Sequence, residues 1–341
     1  MIHFTRASLR HWSVFAAVAL IIGCKPSHSP MRGAANPVGY QKQNQPIEIV
    51  ATVGMVADIV REVGGSRVIV TQLMGPGVDP HLYKGTRDDV RFILAADVVF
   101  YSGLMLEGKL ADMLEKVSKK KPVVAITREL DRGSILQEEG SGGHADPHVW
   151  MDVAAWAKCV AVVAETLAEV EPANADRFQA AASAYRAKLL KLHQYGTEVM
   201  ATVPRQGRVL ITSHDAFQYF GRAYGLEVFG VQGLSTDSEA GLRQINSLVD
   251  MIVQRKVSAV FVESSVPQKS ILAVVDGVAS RGHRVIIGGE LYSDAMGPGG
   301  TYQGTYLGML DHNLTLVARS LGGKAPARGM QGLLMTNDYE L

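Results

Sequence analysis

The sequence predicts an α/β protein of two lobes, each a parallel β-sheet flanked by helices, joined by a single long, rigid backbone helix. Three observations carry that expectation. Short β-branched runs alternate with segments of helical period through residues 47–127, and again through 208–323. That is the pattern of parallel strands covered on both faces by crossover helices. Between the two series, residues 173–203 contain no proline and are dominated by Ala, Leu, Lys, Arg, Gln and Glu, all good helix formers. The chain also has 341 residues, 47% apolar and 20% charged, enough for about two domains, each with its own core.

The elements follow in order from the N-terminus. Arg6, Arg10 and His11 precede the apolar run VFAAVALIIG (14–23) and then Cys24. The run is too short to cross a bilayer and suits a secretory signal over residues 1–23. Ile21-Ile22-Gly23-Cys24 resembles a bacterial lipobox, in which cleavage leaves Cys24 as the lipid-modified first residue; an ordinary signal peptide with an incidental cysteine is the alternative. Acyl chains at about 0.8 kcal/mol per buried CH₂ make a tether and not a span. Residues 24–45, rich in Pro, Gly, Asn and Gln, read as a flexible spacer behind that anchor. With Cys24 acylated, Cys159 has no partner for an intrachain disulfide and is expected as a small buried thiol.

In the first lobe (46–171), IEIVATV (47–53), RVIVTQLM (67–74), VVFYSG (98–103) and PVVAIT (122–127) read as strands. MVADIVREVGG (55–65), TRDDVRFILAAD (86–97) and GLMLEGKLADMLEKVS (103–118) read as the helices between them. The connector (172–203) would be roughly 43 Å long if some 29 of its residues form one helix. The alternative is two helices broken near Gly196. The second lobe (204–341) repeats the style, with strands at 208–213, 226–233, 257–264 and 284–289 and a closing helix over 304–323. Glu239, three residues after Thr236, reads as half of a capping box.

Ten histidines are present. His3, His11 and His28 go with the signal and tether; His193, His283 and His312 suit helix or turn positions. His81, His144, His148 and His214 remain. His81 and His148 share a local setting, VDPHLYKG (78–85) and ADPHVWMD (145–152), and Asp-Pro favours a turn just before a helix. His214 follows the strand RVLITS, and Glu290 and Asp294 follow the strand RVIIGG. In parallel α/β folds ligands collect beyond the carboxyl ends of strands. Three imidazoles and a carboxylate suit zinc or a neighbouring divalent metal. Taken singly, each histidine is more often a loop or capping residue than a ligand.

LMGPGVDPHLYKGTRDDV, DPHVWMDV, ITSHDAFQYFGRAYGLEVFGVQGLST, FVESSVPQKSI and GGELYSDAMG together resemble the signature stretches of one family, the zinc/manganese substrate-binding lipoproteins of bacterial ABC transporters (TroA-like). The resemblance runs from about residue 47 to 320. It implies two α/β lobes joined by one rigid helix, with one Zn²⁺ or Mn²⁺ as transported ligand in the cleft. Carried over motif by motif, the ligands would be His81, His148, His214 and Asp294. Manganese-selective members often carry Glu at the third position; His214 makes the site softer and favours zinc. Zinc specialists often carry a His-rich loop before the second histidine motif, and here only His144 is added. A bidentate Asp294 would admit manganese. Glu263, Asp79, Asp146 and Asp215 are candidates to accept the second imidazole N–H and fix its tautomer; turn-making is the alternative for Asp79 and Asp146.

The expected function is capture of a divalent metal outside the membrane and delivery to an ABC transporter permease, without catalysis. A monomer is expected, held to the membrane by its lipid alone. Release would separate His81 and His148 from His214 and Asp294, and a stiff connector limits that to a small tilt or loop movement. A zinc hydrolase is the rival, since a site with an open position activates water. A chelate- or vitamin-binding protein of the same architecture and a metal-binding surface adhesin are further alternatives. The formal net charge of +1 becomes −1 without Arg6 and Arg10, leaving 32 basic against 33 acidic residues. Such a balance gives no electrostatic reason to expect nucleic acid.

Overall fold

The computed structural model describes residues 45–137 and 144–335. The expected signal segment, Cys24 and the spacer through residue 44 lie outside the described residues. Strand β1 (Ile47–Ala51) is central in the first half, paired in parallel with β2 (Val68–Gln72) on one side and β3 (Val98–Tyr101) on the other. The strand β4 (Val123–Ala125) completes the order β2-β1-β3-β4, all parallel. Helix α1 (Gly54–Gly64) buries Met55, Val56, Ile59, Val60 and Val63. It stops where Gly65 takes φ 54°, a left-handed value that glycine tolerates. Helix α2 (Arg87–Ala95) starts with a reciprocal capping box between Thr86 and Asp89.

The expected helix over 103–118 is shorter than the sequence suggests. Only α3 (Ala111–Ser118) is α-helical, after a 3₁₀ turn at 108–110. Ahead of it, Gly103, Leu104 and Met105 all have positive φ. The cause is Glu107: its buried carboxylate accepts the amides of Ser102 and Gly103 and the hydroxyl of Thr52, at 2.7, 3.2 and 2.6 Å. Those bonds wind the chain back onto the ends of β1 and β3 instead of into a helix.

Helix α4 (Val153–Val170) is capped by Asp152, whose carboxylate accepts the amides of Ala154 and Ala155 at 3.1 Å each. Helix α5 (Ala175–Ala201) then runs unbroken for 27 residues, about 40 Å at 1.5 Å per residue. Gly196 does not interrupt it. A Cβ there would lie 2.7 Å from the Tyr224 ring and 2.8 Å from Leu314, so the glycine serves close packing. The buried stripe Phe178, Ala182, Tyr185, Leu189, Leu192, Gly196 and Val199 keeps a helical period throughout.

In the second half, β5 (Val209–His214) pairs in parallel with β6 (Glu227–Gln232), and β7 (Ala259–Glu263) with β8 (Ile286–Leu291). Strands β5 and β7 lie side by side. Helices α6 (Gln218–Tyr224), α7 (Leu242–Arg255) and α8 (Lys269–Ser280) connect them, and α9 (Tyr306–Ser320) closes the chain. The capping box expected from Thr236 and Glu239 does not form. Helix α7 starts later, after Gly241; Thr236 instead donates to Asp79, and Glu239 forms an exposed ion pair with Lys269. One buried apolar cluster runs from Ile49 and Ile59 through Trp156 and Leu189 to Phe220 and Leu314. Both halves therefore share a core around α5, with a separate cluster under α7 and α8. Cys159 is buried, as expected of a packing thiol. Among the described residues no helix is long and apolar enough to cross a membrane.

Candidate metal centre

The repeated Asp-Pro-His has a local cause. At both places Oδ1 of the aspartate accepts the amide of the histidine two residues on, Asp79 to His81 at 2.8 Å and Asp146 to His148 at 2.9 Å. Proline between them has no N–H to compete, so the carboxylate closes a tight turn. Each turn presents an imidazole just ahead of a helix, α2 or α4. The two turns differ in what else the carboxylate holds. Asp146 Oδ1 also takes the His148 ring at Nδ1, 2.8 Å away. Asp79 uses its other oxygen for the Thr236 hydroxyl, in the second half of the chain.

His214 ends β5, and Glu263 ends the neighbouring β7. One oxygen of Glu263 accepts the His214 amide at 2.8 Å and the other faces its Nδ1 at 2.6 Å. A carboxylate can only accept, so Nδ1 carries the proton in both His148 and His214 and Nε2 is aimed inward. Asp294 follows β8 on a turn pinned from several sides. Asn313 of α9 bonds Tyr292 in both directions, at 3.0 and 2.7 Å, and the Trp150 indole donates to the Ser293 carbonyl at 2.9 Å.

These turns bring His81, His148, His214 and Asp294 to one point, with one ligand atom from each all within 4.8 Å of one another. Nε2 of His81 lies 3.2 Å from that of His148. The Asp294 oxygens are 3.2 Å from His214, 3.4 Å from His148 and 3.9 Å from His81. Four ligands around an ion at 2.0–2.2 Å would sit about 3.3–3.6 Å apart in a tetrahedron. His148, His214 and Asp294 are 0–2% exposed, and His81 is 9% exposed. Neither oxygen of Asp294, nor Nε2 of His214, meets a partner in hydrogen-bonding geometry. A buried carboxylate left so is costly unless a cation joins it.

The electrostatics fit the same point. Burial pushes His81 down to about 4, against the pull of Asp294. Burial also pushes His148 down, but the hydrogen bond and charge of Asp146, followed by those of Asp294, outweigh it and raise the imidazole to about 9. His214 is likewise raised well above its ordinary value, because Glu263 and Asp294 outweigh burial. For Asp294 the imidazoles of His214, His148 and His81 overcome burial and hold the carboxyl well below the usual range. The centre thus holds a fixed anion and two protonated imidazoles whose protons a metal would displace.

Of the carboxylates expected to steady the rings, Glu263 and Asp146 sit on a ring nitrogen. Asp79 holds only the His81 backbone, because its second oxygen is taken by Thr236. Asp215 accepts from Gln218 at 2.7 Å and touches no imidazole, since the chain turns into α6 there. His144 is exposed, and the Glu290 carbonyl accepts from His312 at 2.9 Å. Sequence reasoning missed Trp150, Asn313 and Thr236. An asparagine amid the apolar residues of the last helix and the tryptophan of DPHVWMD were the available signals.

Residues 49–320 match the family described as zinc-uptake complex component A, periplasmic. The chain belongs to this family. It is 43% identical over 291 residues to the manganese-binding lipoprotein MntA of Bacillus subtilis, covering 85% of this chain and 95% of that one. It is 44% identical over 273 residues to the zinc-binding protein TroA of Treponema pallidum, covering 80% and 88%. The solved structure of that periplasmic zinc-binding TroA superposes with a TM-score of 0.79 at 43% identity, over 81% of this chain and 99% of the other. Family membership and fold thus agree with the α/β architecture of parallel sheets and a long helix.

Proposed function

We propose that this family member captures a divalent transition metal outside the cytoplasm with His81, His148, His214 and Asp294, and passes it to an ABC transporter permease. The observation that carries the proposal is the buried Asp294 carboxylate, whose oxygens make no well-aligned hydrogen bond and are ringed by three imidazole nitrogens. Three nitrogen ligands favour zinc over manganese. Relatives of nearly equal identity carry manganese-binding and zinc-binding names, and a bidentate Asp294 would give the higher coordination that manganese accepts. Four protein ligands fill a tetrahedral ion, which suits a carrier and not a hydrolase that needs an open position.

Residues 46–171 and 204–341 serve as the two lobes, with 172–203 between them as the stiff connector. Their shared core around α5 supports small movements between metal-free and metal-loaded forms. Cys24 is the lipid-modified residue, a role supported by the lipoprotein relative MntA. The protein acts as a monomer anchored only by that lipid. Native mass spectrometry under competition between Zn²⁺ and Mn²⁺ tests the proposal, alongside His214→Ala. One metal per chain, with zinc retained over manganese and binding lost in the variant, is expected. No stoichiometric metal, or a variant binding as well as the parent, would remove it.

A further inference from the structure

Two ligand turns from opposite halves of the chain are joined through one side chain. Trp150 stands two residues after His148 and is fully buried. Its indole and the His148 imidazole meet in a T-shaped arrangement, with centroids 5.2 Å apart and planes at 67°. Its Nε1–H donates at 2.9 Å to the carbonyl of Ser293, the residue before Asp294. The Trp150 carbonyl in turn accepts the hydroxyl of Tyr306, at the start of α9, at 2.6 Å. Trp156 supports both, 6.2 Å from Trp150 and stacked on Tyr306 at 6.0 Å. The path from His148 through Trp150 and Ser293 to Asp294 closes on itself where His148 Nε2 and Asp294 Oδ1 lie 3.4 Å apart.

His81 is held differently. It is the most exposed of the four, and among the described residues no carboxylate takes its Nδ1–H. Its turn is tied to the second half near the site by Thr236 on Asp79, with the exposed Lys109–Asp237 pair close by in sequence. These are side-chain contacts at the rim, whereas Trp150 is bound at both its indole and its carbonyl inside the core.

We propose that Trp150 is a positioning residue that holds His148 and Asp294 as a preformed pair, with or without metal, so that opening for release falls on the His81 turn. The inference rests on the metal-capture reading and names which of its ligands moves. It replaces a lobe-from-lobe separation of His148 and Asp294 with a local departure of His81. A preformed pair lowers the ordering cost of binding and slows escape.

Hydrogen–deuterium exchange on the full chain, with and without Zn²⁺, tests the pairing without any substitution. Metal removal is expected to speed exchange in residues 78–86 and to leave 290–297 as protected as before. Trp150→Phe, which removes the N–H, is expected to speed zinc dissociation at least about tenfold, the scale for groups that orient a ligand. It should also shift the Co²⁺ ligand-field spectrum as Asp294 loses its alignment. Trp156→Phe is the packing control: it should lower the melting temperature but leave dissociation and spectrum alone. Exchange rising in 290–297 on metal removal, or Trp150→Phe releasing zinc no faster than Trp156→Phe, would overturn the inference. A parent protein that takes up no stoichiometric metal would sink the capture reading instead, and the protection of 290–297 in the metal-free protein would still decide whether the pair is preformed.

Discussion

Lowering the pH from 8 to 6 should weaken metal binding by several powers of ten, through two particular protons. His148 is raised to about 9 by Asp146 and Asp294 against burial, and His214 is raised as well by Glu263 and Asp294. Both rings are therefore protonated in the metal-free protein at pH 7, and both must lose the Nε2 proton to bind. At pH 7 the His148 proton alone costs binding on the order of 3 kcal/mol, since its value lies about two pH units higher. His81, pushed down to about 4, adds no proton above pH 5, and Asp294 is already ionised. The logarithm of the affinity should then rise by about two per pH unit between pH 6 and 7, with about two protons released per metal there. Chelator competition across pH 6–8 reads the slope, and calorimetry in buffers of different ionisation enthalpy counts the protons. Asp146→Asn should reduce both to about one. A slope near zero, or no proton release, would refute the assignment of Nε2 as the binding atom of both rings. The metal-free protein follows the opposite trend. A His148 whose folded value lies above its unfolded 6.5 stabilises fully below that pH, and the contribution fades as pH rises through about 9. Metal-free protein should thus lose about 3 kcal/mol on this account between pH 6 and 9.5, readable in urea melts.

Other substitutions act on single contacts of the site and the core. Glu263→Gln keeps an acceptor for only one of the two His214 donors, so metal affinity should fall about 10- to 100-fold; chelator competition showing less than a twofold change would contradict the bonding described. Thr236→Val frees Asp79 at the rim, and the loss of one hydrogen bond worth about 1 kcal/mol should quicken zinc dissociation about fivefold; unchanged stopped-flow rates would speak against that tie. Asp58 is raised to about 6, chiefly by burial against its bond from Tyr185. Ionising it should therefore cost the wild type about 3 kcal/mol of stability as pH rises from 3 to 7, and Asp58→Asn should abolish that slope in denaturant titrations. Cys24→Ser should move the protein from the membrane to the soluble fraction, and retention with the membrane would point to another anchor.

Much of the fold was legible because parallel strands buried on both faces leave unmixed β-branched runs, as VVFY (98–101) and AVFVE (259–263) do. The long helix was legible from composition, yet composition could not say what Gly196 does; only its contact with Tyr224 and Leu314 explains an unbroken helix there. Where side chains bond backbone over a distance, local pattern misled. Glu107 rewinds a segment that reads as helix, and Asp79 draws Thr236 away from the cap it could have made. His81, His148 and His214 were visible because each follows a strand or an Asp-Pro turn, whereas only the family resemblance separated Asp294 from Glu290. The residues that aim them were not visible, since Trp150 and Asn313 act through backbone carbonyls and amides of segments more than a hundred residues, or some twenty residues, away.

His81, His148, His214 and Asp294 should together hold one metal ion. X-ray absorption at the zinc edge of the zinc-loaded protein, compared with His81→Ala, tests it most directly. The expected spectrum is a shell of three imidazoles and one carboxylate at about 2.0–2.2 Å without sulfur, falling to two imidazoles in the variant. A shell of water oxygens with one imidazole or none, or a spectrum that His81→Ala leaves unchanged, would contradict it.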